Sequence, residues 1–267
     1  MNNFVIMALV ATTVTWLVTA LGAATVIFFR TPGTGLLNLM ISFAAGVMIA
    51  ASFWSLLKPA VERADLTSTV PSYIVITVGF LSGAGFIWIS DKIISFIQNR
   101  SLLLPRAKSN HIKRITMLIL SITLHNIPEG LAVGVAFGAL KDSAHSTESI
   151  IGAVTLALGI AIQNFPEGAA VSLPLRREGY SRKKSFILGQ ASAIVEPFSG
   201  IIGAMAVVGI GSVLPNALSF AAGAMILVAV HELIPECQKN RENPSYFSSM
   251  GIIGGFAVMT LLDVMLG

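Results

Sequence analysis

Residues Leu124-His125-Asn126-Ile127-Pro128-Glu129-Gly130 and Ile162-Gln163-Asn164-Phe165-Pro166-Glu167-Gly168 are two versions of one seven-residue motif. Each lies inside an apolar run long enough to cross a bilayer, and each sets a glutamate deep within that run. An acid at the centre of a membrane helix costs about 2.5–3.5 kcal/mol on insertion scales. Glu196, in Gln190-Ala-Ser-Ala-Ile-Val-Glu-Pro, is a third acid at depth. No Lys or Arg lies at comparable depth in any apolar run, so fixed salt bridges do not neutralise the three. What remains is protons or a mobile cation.

Working outward, composition agrees with a lipid environment. The chain is 54% hydrophobic and 11% charged, with a mean hydropathy of +0.81; a soluble domain carries about 25% charged residues. Apolar runs of about 20 residues suffice to span. Eight occur, near 3–29, 36–57, 72–96, 115–140, 149–174, 185–211, 214–235 and 247–266, in one transmembrane domain over 1–267. Pro32-Gly33, Pro59, Pro71, Pro105, Pro215 and Pro244 punctuate the gaps. Backbone groups in lipid must bond within their own segment and the pattern is not that of a porin-like barrel, so the spans are predicted to be helices. The first is read as a retained helix, because MNNFVIMALV has no basic stretch ahead of its apolar run. A single cysteine, Cys237, excludes a disulfide framework and a multi-cysteine metal cluster.

The positive charge belongs to loops and not to nucleic-acid binding. Fourteen basic residues fall in the odd-numbered loops and three, Lys58, Arg63 and Lys141, in the even-numbered ones. That asymmetry puts the odd loops, including a basic one near 97–114, in the cytoplasm and both termini outside. The expected location is a cell membrane, the inner one in a Gram-negative cell.

Internal repetition adds topology. Ser42-Phe-Ala-Ala-Gly-Val-Met-Ile in span two recurs 177 residues later as Ser219-Phe-Ala-Ala-Gly-Ala-Met-Ile in span seven. These spans run in opposite directions, as do spans four and five with their paired motifs. An inverted-topology repeat follows: three helices, a central pair, three helices.

His125 and Glu129 share one helix face, with Asn126 three residues from Glu129; Gln163, Asn164 and Glu167 repeat the arrangement. Pro128 and Pro166 free the carbonyls of Leu124 and Ile162 at membrane depth, a feature tolerated where a polar cavity is lined. Imidazole, carboxylate and amide ligands suit zinc and related ions such as Cd2+, Fe2+ or Mn2+, whereas magnesium and calcium favour oxygen alone. Glu196 is placed to complete a second metal position, with Glu129 and Glu167 bridging. Met48 adds a candidate thioether; Ser192 and Gln190 are weaker candidates. His231, Glu232 and Glu236, near the cytoplasmic end of span seven, are candidates for an exit path. His231-Glu-Leu-Ile-Pro-Glu lacks the second histidine of a zinc-protease helix, and Pro235 is expected to break the helix, so a protease is rejected. His111 and His145 are read as solvated loop residues and Asp263 as interfacial. Gly79 and Gly83 form a GxxxG-type face suited to a neighbouring helix or to a partner in a homodimer.

At these residues the sequence resembles the ZIP (Zrt/Irt-like) metal transporters over essentially its whole length, and the prokaryotic GufA-like branch in having Gln163 where many members have histidine. The resemblance implies eight helices in a 3+2+3 inverted arrangement, both termini outside, and import of zinc and related metals through a two-metal centre. One metal position would use His125, Glu129, Gln163, Glu167 and Met48. The other would use Asn126, Glu129, Asn164, Glu167 and Glu196. It does not distinguish a carrier from a passive channel or a metal/proton exchanger working through the same site. An enzyme is not expected.

Overall fold

The computed structural model describes residues 3–28, 34–68, 70–99, 109–141, 147–177, 179–238 and 245–266. Pro32-Gly33, His145 and residues 100–108 of the basic 97–114 segment lie outside the described residues. Among those described, every element is helical, and the helices form eight rods. The first is Asn3–Ala24 with a 3-10 turn, Thr25–Ile27. The second joins Thr34–Ala51, a π-helical turn at Ser52–Leu57 and Lys58–Thr67. Ser72–Asn99, Ser109–Ala139 and Thr147–Arg177 are the third to fifth. The sixth comprises Arg182–Ala191 and Val195–Gly209. The seventh is built around Leu214–Val228, a π-helical turn at Ala229–Leu233 and Ile234–Gln238. Ser245–Leu266 is the eighth. Seven rods meet the length and hydropathy needed to cross a membrane over their described residues. The fourth, counted from its backbone, is a continuous 31-residue helix, about 46 Å long at 1.5 Å per residue. It begins at Ser109, so the backbone of His111 is helical and not looped as expected.

The rods sort polarity in reverse of a soluble helix. On the first, Val10, Val14, Leu17 and Leu21 recur at helical spacing on the exposed side, while Thr12, Thr15 and Thr19 are buried. Apolar residues meet lipid and polar ones turn inward, where a membrane protein keeps them.

Packing reproduces the repeat. Spans one, four, five and six pack into one four-helix group, and spans two, three, seven and eight into another. The most extensive pairs are one with five and four with six in the first group, and two with eight and three with seven in the second. Exchanging span one with six, two with seven, three with eight and four with five maps each pair onto the other. Individual contacts obey the same operation. A Cβ on Gly255 of span eight would collide with the carbonyl of Phe43, and one on Gly83 of span three with that of Phe220; Phe43 and Phe220 are 177 residues apart. The two π-helical turns begin at Ser52 and Ala229, again 177 apart.

Three local features bear on the sequence expectations: the first selects one of two alternatives, and the other two depart from what was expected. Gly79 and Gly83 pack against Ser219 and Phe220 of span seven, so this small-residue face is used inside the chain. Pro235 does not break its helix: the π-helical turn before it takes up the missing hydrogen bond and the ring's bulk, and helix resumes at Ile234. Span six, expected as one run, is interrupted at Ser192–Ile194, just upstream of Pro197. A proline ring clashes with the carbonyl four residues before it, here Ala193. The chain passes the gap with tighter i−3 bonds, from Ala193 N to Gln190 O (3.4 Å) and Glu196 N to Ala193 O (3.0 Å).

Gly83→Val is expected to lower thermal stability in detergent by about 1–3 kcal/mol through overpacking against span seven. Gly85→Ala, with open space around its Cβ, is expected to stay within about 0.5 kcal/mol of the parent.

Candidate metal centre

The interruption in span six has a chemical consequence. It makes Glu196 a first-turn residue of the half-helix Val195–Gly209, near the positive end of that helix dipole. Glu196 is fully buried, and its carboxylate collects neutral donors from two neighbouring spans. Asn164 Nδ2 lies 2.9 Å from Oε1 and 3.0 Å from Oε2, and the Thr15 hydroxyl donates to Oε2. Thr15 is the functional contact that sequence reading missed. Its only signal was the polar stripe of Thr12, Thr15 and Thr19 in an otherwise apolar helix.

The asparagines of the two motifs do the same job in opposite halves. Asn126 Nδ2 donates to the carbonyl of Ser192 (3.0 Å), and Asn164 Nδ2 to that of Thr15 (3.2 Å). Ser192 and Thr15 are themselves 177 residues apart. Each amide nitrogen thus ties a central helix to the first helix of a repeat, and each donates once more, Asn126 to Ile122 O and Asn164 to Glu196. Gln163 Nε2 donates to Glu129 Oε1 at 2.5 Å. Spans four and five run through Pro128 and Pro166 without interruption.

Donors are therefore consumed while acceptors remain. Asn126 Oδ1, Glu129 Oε2, Gln163 Oε1 and Asn164 Oδ1 are buried and receive no hydrogen bond. Leaving a buried acceptor unsatisfied costs about 1–3 kcal/mol, and more for a charged one. Four such oxygens, carried by residues of the two motifs, have the chemistry of cation ligands. Glu129, Glu167 and Glu196 stand within one another's electrostatic reach. Glu167 is 5% exposed, while Glu129, Gln163, Asn126, Asn164 and Met48 have no exposure. Among the described residues no group of three His, Cys, Asp or Glu forms a metal cluster by itself; amide oxygens make up the set. The backbone of His125 lies one helical turn before Glu129, and its side chain is outside the described residues.

The other sequence candidates lie on spans two, six and seven. Met48 is fully buried on span two, which packs against span five. Ser192 Oγ donates to Gly189 O at 2.7 Å, and Gln190 offers its carbonyl to Trp16 Nε1 at 3.0 Å, so both brace the break in span six. His231 and Glu236 are exposed and Glu232 partly so, beyond the central cluster. At the opposite end of the molecule, Trp54, Ser55, Lys58, Glu62, Arg63 and Asp263 help line a cavity of about 250 Å³. Asp263 accepts a 2.8 Å hydrogen bond there from Ser55.

Comparison with known proteins gives a consistent result. The ZIP Zinc transporter family model matches residues 104–263. Zinc transporter ZIP11 of Homo sapiens is 37% identical, over 100% of this chain and 99% of its own length. Zinc transporter ZIPB of Bordetella bronchiseptica is 30% identical, over 93% of this chain and 78% of its own. Zinc transporter GufA of Myxococcus xanthus is 38% identical over 57% of this chain and 56% of its own, in keeping with the GufA-like features of the motif pair.

Thr15→Val removes a donor to a fully buried carboxylate and preserves shape. A loss of about 1.5–3 kcal/mol of stability is expected, as for hydrogen bonds to charged groups. Thr13→Val, whose hydroxyl bonds only to Leu9 O of its own helix (2.6 Å), is expected to be near neutral in the same thermal assay.

Proposed function

This chain belongs to the ZIP zinc transporter family, whose members compared above are transporters and not enzymes, and on that premise we propose that it moves zinc toward the cytoplasm through a two-metal site at mid-membrane. One metal position takes His125, Glu129, Gln163, Glu167 and Met48. The other takes Asn126, Glu129, Asn164, Glu167 and Glu196. The observation that supports this most directly is the set of buried oxygens on Asn126, Glu129, Gln163 and Asn164 that accept no hydrogen bond. A polar network finished for its own sake would not leave its acceptors bare.

The mechanism follows from what each residue contributes. Glu129 and Glu167 supply negative charge that a dication balances. Asn126 and Asn164 orient their oxygens by anchoring their amide nitrogens to backbone carbonyls. Thr15 and the half-helix N-terminus hold Glu196 in place when the ion has gone. In this reading zinc enters from the side bearing both termini, by way of the cavity beside Ser55 and Asp263. It leaves past His231, Glu232 and Glu236 when one four-helix group shifts against the other. The fourteen-to-three loop bias of basic residues supports this orientation. Ligands must be deprotonated to hold metal, so acidifying the loading side lowers apparent affinity.

Reconstituted vesicles loaded with a zinc indicator provide the test. Glu167→Ala is expected to abolish saturable uptake; uptake equal to that of the parent would refute the site. Gln163→His replaces a neutral amide with imidazole and is expected to raise apparent zinc affinity by about tenfold, equivalent to 1.4 kcal/mol.

A further inference from the structure

The octapeptide shared by spans two and seven has a part in the fold that the metal reading above does not use. Met225 occupies in span seven the place Met48 holds in span two. Both have no solvent exposure and rank among the largest fully buried side chains. Each follows small residues, Ala44 and Ala45 in one case and Ala221 and Ala222 in the other, so the thioether is the long side chain of its stretch. Each also stands four residues before a π-helical turn, Ser52–Leu57 or Ala229–Leu233.

The packing gives this equivalence a direction. Span two packs on span five and span seven on span four. The operation that exchanges the Asn126 and Asn164 hydrogen bonds, and the Phe43 and Phe220 contacts, therefore also exchanges Met48 and Met225. Glu129 and Glu167 are exchanged with each other, so the carboxylate pair sits at the centre of this symmetry. The Met48 contact proposed above, carried through this operation, becomes a contact from Met225 on span seven.

We propose that Met225 is a second thioether contact for the transported ion, on the opposite side of the Glu129–Glu167 pair from Met48, and that the two sulfurs together tune preference toward soft divalent metals. This rests on the mid-membrane site proposed above. Thioethers favour soft ions, while carboxylate and amide oxygens suit harder ones such as Mn2+. Filling space alone would be served equally by leucine, which matches methionine closely in volume. That difference makes the role measurable.

The experiment is competitive uptake of Cd2+ against Mn2+ by the full chain in vesicles, for the parent, Met48→Leu, Met225→Leu and the double variant. Met225→Leu is expected to lower the Cd2+:Mn2+ ratio by about threefold or more, and the double variant to lower it further. Met225→Cys, which replaces the thioether with a softer thiolate ligand, is expected to raise the ratio. A parental ratio in Met225→Leu, with Met48→Leu lowered and Glu167→Ala inactive, overturns this inference and leaves the site intact. Uptake that survives Glu167→Ala instead overturns the site itself. If Met225→Leu does not assemble, Met225→Cys decides: a raised ratio supports the contact, and an unchanged one overturns it.

Discussion

Three carboxylates buried among apolar helices, two of them, Glu129 and Glu196, met by neutral amide and hydroxyl donors, govern how the rest of this molecule is arranged. Amides of span five and a hydroxyl of span one converge on Glu129 and Glu196. Each such bond recovers part of the desolvation cost without supplying a full opposing charge. Covering these groups requires helices polar on the inner face and apolar on the outer, as the first span illustrates. The need for closure around them explains why spans one, four, five and six form one group.

The inverted repeat supplies that closure economically. One packing solution, used twice in opposite directions, brings both asparagines and both motif glutamates to the centre. Sequence divergence between the halves then falls on residues that bear chemistry. Thr19 stands where the second half has Glu196, and Gln163 stands where span four has His125. Small residues at the helix crossings are retained in kind, because backbone approaches backbone there and a Cβ has no space.

The central motif was legible in the sequence because an acid in an apolar run is anomalous on energetic grounds. The repeat was legible through one octapeptide, and the structure extends the same offset to hydrogen bonds that no sequence similarity marks. Thr15 was not legible, since threonine is common in membrane helices and its partner lies 181 residues away. Pro197 contained the signal for the break in span six, through the carbonyl it must displace. The π-helical turns left no compositional trace; they shift which carbonyl each N–H bonds and change nothing in hydropathy. Gly79 and Gly83 fitted two partners equally, and only the packing of span three on span seven chose between them.

The interruption in span six also gives the centre something no side chain provides. Backbone amides at the start of Val195–Gly209 present partial positive charge toward Glu196. That potential does not titrate, does not depart with the cargo and is untouched by any single side-chain exchange. A fraction of the counter-charge to Glu196 is thus permanent. In the proposed function the remainder falls to the transported ion.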